Sequence, residues 1–573
     1  MRKFILLISL LLVVIITTAQ NYGAALYLIT NQAIYDNNKA MLDEYIAYKQ
    51  ECCSEFYVKM FIKEVDYPNT AIGMPTIEAI RSLLRNELAY WDSVSPDIKI
   101  PKYLILIGNP HYNTNVVPMA RLDRNATTLA SSDYMYANVS GNWDIGKPGY
   151  QIPDGKYGTP FFHNVNTGYI DYRDYYPGGA SMEPEFYVGR WPVFDNGVSP
   201  DLRKIIWKSM EYSKGRYAGP WVKTVQASLY EEYTYNVYRD YYKMGEDLKD
   251  SILEPNGFNI RRIYRNFPGP QSLGLEDPES CLLSRKTAME GWAKRAGIHW
   301  WFSHGSSTRA NVICWSPISN DDPTYFIDDP ATLIERNEAD AYVEYPSFVI
   351  THSCSGLYPY NANSLAYRLM QKGAIAVVGH VGTAMLDGVY KPEKPYWRTL
   401  NAGYQTIKKL VEGYTFGEAF WEGKNDYWKS QFLDDGRYIH YSEGYQYNMF
   451  GDPTLRLMVE DDVPMPPIVS YQSDIKLEIG TDSTELTFYA NSKYHPTYEG
   501  SDIDYIKLGS PIAIGFNQWI FPTVVNDSTL KVWIKPHKNP RPMRGIQELK
   551  VEAGNEAGLV SKRVFKIHLT NNQ

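Results

Sequence analysis

Cysteine is scarce: five in 573 residues, with no CxxC pair. That excludes a disulfide scaffold, and the odd count leaves at least one thiol outside any intrachain disulfide. No HExxH occurs either, so the usual zinc signatures are missing. Positive charge is not in excess. Lys and Arg total 57 against 65 Asp and Glu, a net charge of −8, which argues against broad binding to a phosphate backbone. Beyond the first twenty residues no segment is apolar for a membrane-spanning length. There is no sustained repeat and no low-complexity tail. With 44% hydrophobic and 21% charged residues the chain has a globular balance. At roughly 100–200 residues per domain it holds two to five domains. Tyr (48) far outnumbers Phe (20), which fits amphipathic, hydrogen-bonded packing of loops and surfaces.

The chain opens with a basic head, Met1-Arg2-Lys3, then an apolar run from Phe4 to Ile16 and small residues Thr17-Thr18-Ala19. This is the pattern of a signal peptide, residues 1–19, cut before Gln20. No Cys follows the cut, so no lipid anchor is expected there. The expectation is an exported protein, secreted, cell-surface or periplasmic, with no transmembrane anchor after signal removal.

Next, 24–30 reads as a buried strand, 37–53 as a helix that includes Cys52 and Cys53, 57–65 as a strand, 76–91 as an amphipathic helix and 103–108 as a short apolar strand. The order βαβαβ argues for a parallel sheet with helices on its faces. Residues 110–195 are rich in Tyr, Gly, Asn, Asp and Pro, and read as long loops with short strands. A second series follows: strands at 225–229, 258–264, 298–303, 347–351 and 374–379, and helices at 240–253, 284–296, 363–371, 406–411 and 417–428. After Pro464-Met-Pro-Pro467 the pattern becomes short alternating runs at 475–479, 485–490, 503–508, 530–534, 547–552 and 559–568, as in an Ig-like β-sandwich.

Two strand ends carry reactive residues: Ile298-His-Trp-Trp-Phe-Ser-His304-Gly305 and Phe348-Val-Ile-Thr-His-Ser-Cys354-Ser355-Gly356. In an open parallel sheet ligands bind beyond the carboxyl ends of the strands. Neighbouring strands would bring His304 and Cys354 to one edge, where the imidazole could take the thiol proton. The amides of Gly305 and Cys354 could then hold an oxyanion. A cysteine near a strand end is more often a small buried hydrophobe, and a histidine among aromatics a core residue. His352 and His380, also at strand ends, are rival bases. Cys281 and Cys314 have no comparable context. Asp452, in a Gly-Asp-Pro turn, reads as a structural cap.

These two strand ends, the 373–379 strand, Asn448-Met-Phe-Gly-Asp-Pro-Thr-Leu455, Ser132-Asp-Tyr-Met-Tyr136 and Tyr187-Val-Gly-Arg-Trp-Pro192 together resemble the gingipain family of cysteine peptidases, in order from about residue 24 to 458. The resemblance implies an α/β, caspase-like three-layer α/β/α region of two subdomains, 20–222 and 223–460, with the Ig-like domain at 465–573. It implies His304 as general base, Cys354 as nucleophile and Gly305 at the oxyanion position. It also implies a carboxylate behind the histidine, Glu231 in preference to Glu232. A pocket acid for Arg or Lys before the cut is implied too: Asp240, with Asp387 a weaker candidate. No cofactor is required, although Asp321-Asp322 and Asp328-Asp329 could hold a structural Ca²⁺ of the kind the family often carries.

The expected function is a secreted cysteine endopeptidase acting on proteins or peptides. The alternatives are a transpeptidase using the same dyad and a non-catalytic adhesion or assembly protein. A strand starting at Ala24 leaves no room for a large propeptide, so control is expected through loop cleavage or calcium. No added sorting domain is expected beyond the Ig-like region. Oligomeric state is not indicated.

Overall fold

The computed structural model describes residues 24–51, 56–67, 73–94, 100–114, 116–125, 128–141, 183–215, 217, 219–234, 237–265, 295–312, 315–319, 322–327, 331–336, 346–360, 362–384, 398–432, 445–457, 468–471, 476–478, 484–491, 503–508, 520–534, 545–555 and 560–570.

The first apolar run becomes β1 (Ala24–Asn31), followed by α1 (Gln32–Glu51), β2 (Phe56–Lys63), α2 (Met74–Val94) and β3 (Lys102–Gly108). Asn31 caps α1, its Oδ1 accepting from the Ile34 amide at 3.0 Å. Helix α2 buries Ile77, Ile80, Leu84 and Trp91, one stripe at helical spacing. The Tyr-rich stretch holds a hairpin, β4 (Ala120–Asn125) with β5 (Thr128–Ser132), and then β6 (Tyr187–Pro192). The first sheet is parallel throughout, in the order β2-β1-β3-β6. Burial on both faces explains why β1 and β3 are unbroken apolar runs.

The second unit runs through α3 (Asp201–Ser213), β7 (Thr224–Thr234), β8 (Val237–Asp240), α4 (Tyr241–Leu248), β9 (Asn259–Arg265), β10 (Ile298–Phe302), β11 (His304–Ser306), β12 (Arg309–Val312), β13 (Trp315–Ser319), β14 (Asp322–Ile327), β15 (Ala331–Glu335), β16 (Ser347–His352), α5 (Leu365–Gln371), β17 (Ala374–His380), α6 (Arg398–Val411), α7 (Phe416–Phe432) and β18 (Tyr447–Gly451). Its main sheet has the order β18-β17-β16-β10-β7-β8, with β9 also pairing β7. β18 and β8 run antiparallel to their neighbours and the rest are parallel. The strand expected at 225–229 continues to Thr234 and turns back as β8, so the helix expected from residue 240 starts one residue later. The 284–296 helix lies outside the described residues except for its last two, which are not helical.

The two sheets meet at their edges. A Cβ on Gly189 of β6 would lie 2.4 Å from the Gly451 carbonyl oxygen of β18, so the strands pass in backbone contact. Around this crossing three motifs converge. Arg190, fully buried, donates through Nε to Asp133 at 2.9 Å, through Nη2 to the same carboxylate, and through Nη1 to the Val117 carbonyl at 2.6 Å. Asn448 Oδ1 accepts from the Asp133 amide at 2.9 Å. Asp452 accepts from the Thr454 amide at 2.8 Å, as expected of a cap, and also from Tyr45 Oη at 2.7 Å. It forms an ion pair with buried Lys49 at 3.7 Å.

The last strands are β19 (Ile468–Tyr471), β20 (Lys476–Glu478), β21 (Thr484–Asn491), β22 (Ile503–Leu508), β23 (Ile520–Asn526), β24 (Thr529–Ile534), β25 (Gly545–Asn555) and β26 (Val560–Thr570). They form two four-stranded sheets, β19-β21-β24-β23 and β20-β26-β25-β22, antiparallel except for β20 with β26. Leu486, Phe488, Leu530, Val532, Ile506 and Val551 are buried among them. The sequence reading found six of these strands and missed β19 and β23. Both are edge strands, and β23 carries Pro522 and exposed Val524 and Val525, which break the alternation. Among the described residues no helix is long and apolar enough to cross a membrane.

Candidate active site

Strands β7, β10 and β16 lie side by side and parallel, with Ser228 opposite Trp301 and Phe302 opposite His352. His304 is two residues beyond Phe302 and Cys354 two beyond His352. The register therefore brings both to the same height at the carboxyl edge, on strands one spacing, about 4.8 Å, apart. Both are half-buried. The chain stays close beyond the strand ends: a Cβ on Gly305 would lie 2.7 Å from Ser353 Cβ and 2.9 Å from the Cys354 carbonyl oxygen. Only glycine lets β11 rest on the Ser353–Cys354 backbone this closely. β11 is itself held by β12, with His304 opposite Asn311, and β12 by β15.

Beneath this contact lies a cluster of hydroxyls. Ser353 Oγ accepts from Trp301 Nε1 at 3.2 Å and from Thr351 Oγ1 at 3.0 Å, and lies 2.7 Å from Ser303 Oγ. With both lone pairs used, the Ser353 proton goes to Ser303. The residues immediately before His304 and before Cys354 are thus bonded to each other. Sequence reasoning missed this cluster, because serines at strand ends are ordinary turn residues.

The turn after Cys354 is fixed in a special conformation. Ser355 has φ 53°, the left-handed region that non-glycine residues adopt at a cost, commonly near functional sites. Its amide donates to the Gly382 carbonyl at 2.6 Å, and the Leu357 amide to the His380 carbonyl at 2.9 Å. Cys354 Sγ lies 3.6 Å from the Ala384 carbonyl oxygen as a donor.

Glu231 lies on β7, directly opposite Asp240 in the antiparallel β7–β8 pairing. Both are therefore at the edge that carries His304. Asp387 lies outside the described residues, as do Cys52, Cys53, Cys281, Cys314, Asp321, Asp328 and Asp329. Asp322 begins β14. Among the described residues no group of three or more His, Cys, Asp or Glu side chains could hold a metal ion.

The rival histidines face elsewhere. His352 is fully buried, stacked on Tyr447 with centroids 5.2 Å apart, and its Nε2 lies 3.4 Å from Tyr447 Oη. A Cβ on Gly403 of α6 would come within 2.2 Å of that nitrogen. His380 is buried in the same group, 4.9 Å from the Tyr447 ring. Burial, aided by neighbouring His380, holds the His352 imidazole well below its ordinary pKa of 6.5. Burial, aided by Arg261, pushes His299 down to about 3. His352 and His299 are neutral core residues, which decides against His352 as a base. Their effect on stability has a definite sign. As pH falls below 6.5 the unfolded chain takes up protons that the folded chain refuses, so stability declines. Each such histidine contributes about 1.4 kcal/mol per pH unit at the steepest, for His299 down to about pH 3. Chemical denaturation at pH 7, 6 and 5 should show this slope, and His299→Gln should remove its share. A stability that stays level from pH 7 to 5 contradicts the assignment.

The family model for peptidase family C25 matches residues 13–458. The chain belongs to that family. It is thus a member of a cysteine peptidase family, on a mixed α/β fold with parallel sheets. No curated protein matches. Among solved structures the chain is similar to the pro- and mature domains of RgpB from Porphyromonas gingivalis, at 12% identity and TM-score 0.49, covering 95% of this chain and 100% of that one. It is also similar to the Arg-specific cysteine proteinase gingipain R, at 12% and 0.48, covering 96% and 98%. Latent PorU from Porphyromonas gingivalis matches at 14% and 0.31, covering 96% of this chain and 43% of that one. The family assignment rests on the family model, not on these distant structures.

Proposed function

We propose that the protein is an exported endopeptidase in which Cys354 is the nucleophile and His304 the general base. The observation that carries this reading is the register that aligns the ends of β10 and β16, together with the close seating of Gly305 on Cys354. His304 takes the thiol proton and the thiolate attacks a peptide carbonyl carbon. The negative oxygen is held by the amides of Gly305 and Cys354. Collapse breaks the C–N bond, the amine leaves with the proton from His304, and a thioester remains. Water, deprotonated by His304, then releases the acid. Glu231 orients the imidazole, and Asp240, with Asp387 as the second candidate, receives an Arg or Lys side chain before the cut.

The rest of the assignment follows the same reading. Residues 1–19 are a signal peptide, 20–222 and 223–460 are the two subdomains of a caspase-like region, and 465–573 is an Ig-like sandwich. The acidic pairs at Asp321-Asp322 and Asp328-Asp329 would supply oxygens for a structural Ca²⁺. The test is a mixed peptide library given to the mature protein with and without calcium, with the cut sites identified by mass spectrometry. Cleavage after Arg or Lys supports the Asp240 pocket, and a different preference removes it. Absence of cleavage under every condition sinks the endopeptidase reading.

Gly305→Ala gives a sharper check of the geometry. The added methyl meets backbone and Cβ atoms at under 3.0 Å, so β11 must lift and carry His304 with it. A displacement of about 1 Å at a reacting pair costs about a hundredfold in rate. Peptide turnover should fall by about that factor while the thermal melt shifts little. Unchanged turnover means that the seating of Gly305 has no role.

A further inference from the structure

We infer that Arg121 reads an acidic side chain of the substrate, at a position several residues from the scissile bond. This inference rests on the peptidase reading.

A chain of contacts leads from the nucleophile turn to Arg121. The turn after Cys354 is closed by the Tyr358 amide on the Ser355 carbonyl at 3.0 Å. It presents Tyr358 and Tyr360, whose rings lie 5.0 Å apart. Tyr360 in turn meets the loop after β3: its ring is 5.0 Å from His111 and 5.9 Å from Tyr112. Its hydroxyl is hydrogen-bonded to Ser131 of β5. Directly across the hairpin from Ser131 is Arg121 of β4. Cross-strand partners share a face, so the arginine emerges beside the Tyr360 hydroxyl. The Arg121 guanidinium lies over the Tyr112 ring, 4.2 Å from its centre; burial raises the Tyr360 pKa, and nearby Arg121 offsets part of that rise.

Arg121 is exposed, and no carboxylate pairs with it among the described residues. In a chain of net charge −8, an exposed arginine seated over a ring, with no acid beside it among the described residues, is suited to receive one. The contact with the ring restrains the guanidinium in advance, so less rotamer entropy is lost when a carboxylate docks. The fork geometry suits two parallel hydrogen bonds to a carboxylate.

Reach and direction fit an extended peptide. From the Tyr358 ring to the guanidinium the contacts span at most about 15 Å, four or five residues at ~3.3 Å each. The wall also lies on the far side of Cys354 from Asp240. The turn is pinned to β17, whereas β8 lies beyond β7, across the sheet from β17. A peptide running along the carboxyl edge passes both.

The experiment uses labelled peptides of about twelve residues, each with one glutamate at a successive position, against glutamine counterparts. Binding is measured to the full chain carrying Cys354→Ala, which needs no turnover. One glutamate position should tighten binding by about tenfold, less at high salt. Arg121→Gln should abolish that gain, and Arg121→Glu should transfer it to lysine at the same position. The inference is overturned if no glutamate position tightens binding, or if the gain survives Arg121→Gln. Cleavage by the unmodified chain is followed in parallel. Glutamate-dependent binding without cleavage sinks the peptidase reading and leaves Arg121 as an acid-reading site. Cleavage indifferent to glutamate does the reverse.

Discussion

Cys354→Ala will reduce peptide cleavage to background, a loss of at least about a thousandfold in kcat/KM, and His304→Ala will come close to it. Neither change should unfold the chain. Cys354 and His304 are half-buried at strand ends, outside the paired core of β10 and β16. Two residues that act as a unit lose their effect together, so the double variant should be no worse than Cys354→Ala alone. A peptidyl electrophile offers an independent readout. It should label the unmodified protein at Cys354, label His304→Ala slowly, and leave Cys354→Ala unlabelled. Activity that persists without Cys354 would place the nucleophile elsewhere. Activity that survives the loss of His304 while Cys354 is labelled at full rate would make the thiol self-sufficient and leave the histidine without a catalytic role.

Asp133→Ala should cost about 3–5 kcal/mol of stability, the usual penalty for stranding one member of a buried ion pair. Arg190 is then left fully buried with only the Val117 carbonyl as a described acceptor for its guanidinium. The same loss is expected from Arg190→Met, where the carboxylate is abandoned instead. Replacing both together by apolar residues of similar volume, Asp133→Leu with Arg190→Met, should be milder than either single change, since the charge and its desolvation cost leave together. Denaturant titration of the four proteins checks this. A cost below about 1 kcal/mol for Asp133→Ala would mean that water reaches the pair. The double variant should still lose some stability, because the Val117 carbonyl gives up its donor.

The strands at the heart of each sheet were the easiest to read. β1, β3, β10, β16 and β17 are buried on both faces, so their sequences are mostly apolar runs. β6 was harder to recognise as a sheet member. It places an arginine in the core, and charged residues are rarely wholly buried unless paired. Its partner, Asp133, lies 57 positions away, a separation that local periodicity cannot bridge. The nearness of His304 to Cys354 was legible because both follow strands that end without an intervening turn signal. The antiparallel return of β8, which sets Asp240 opposite Glu231, was not. Polar residues interrupt the apolar pattern along this Tyr- and Glu-rich stretch, so the sequence carries no clear strand signal there. The aromatic wall at His111, Tyr112, Tyr358 and Tyr360 was hidden for a different reason. In a chain with 48 tyrosines, four rings from two distant loops carry no mark of being neighbours.

The clasp of Asp452 on Tyr45 spans 407 residues of chain. During synthesis the N-terminal sheet is complete once β6 has emerged, yet the groups that seal its open edge, β18 and the turn at Asp452, arrive among the last of the family-matched region. Until then Lys49 lacks its counter-charge and the Gly189 backbone has nothing to lie against. Contacts this distant in sequence are the slow ones to form, since the loop must close before any of them is gained. The order of emergence therefore bears on when the two sheets can lock together. His304 and Cys354 are already made while the scaffold around them is unsealed, and the finished unit is assembled only after nearly the whole family-matched region has been delivered.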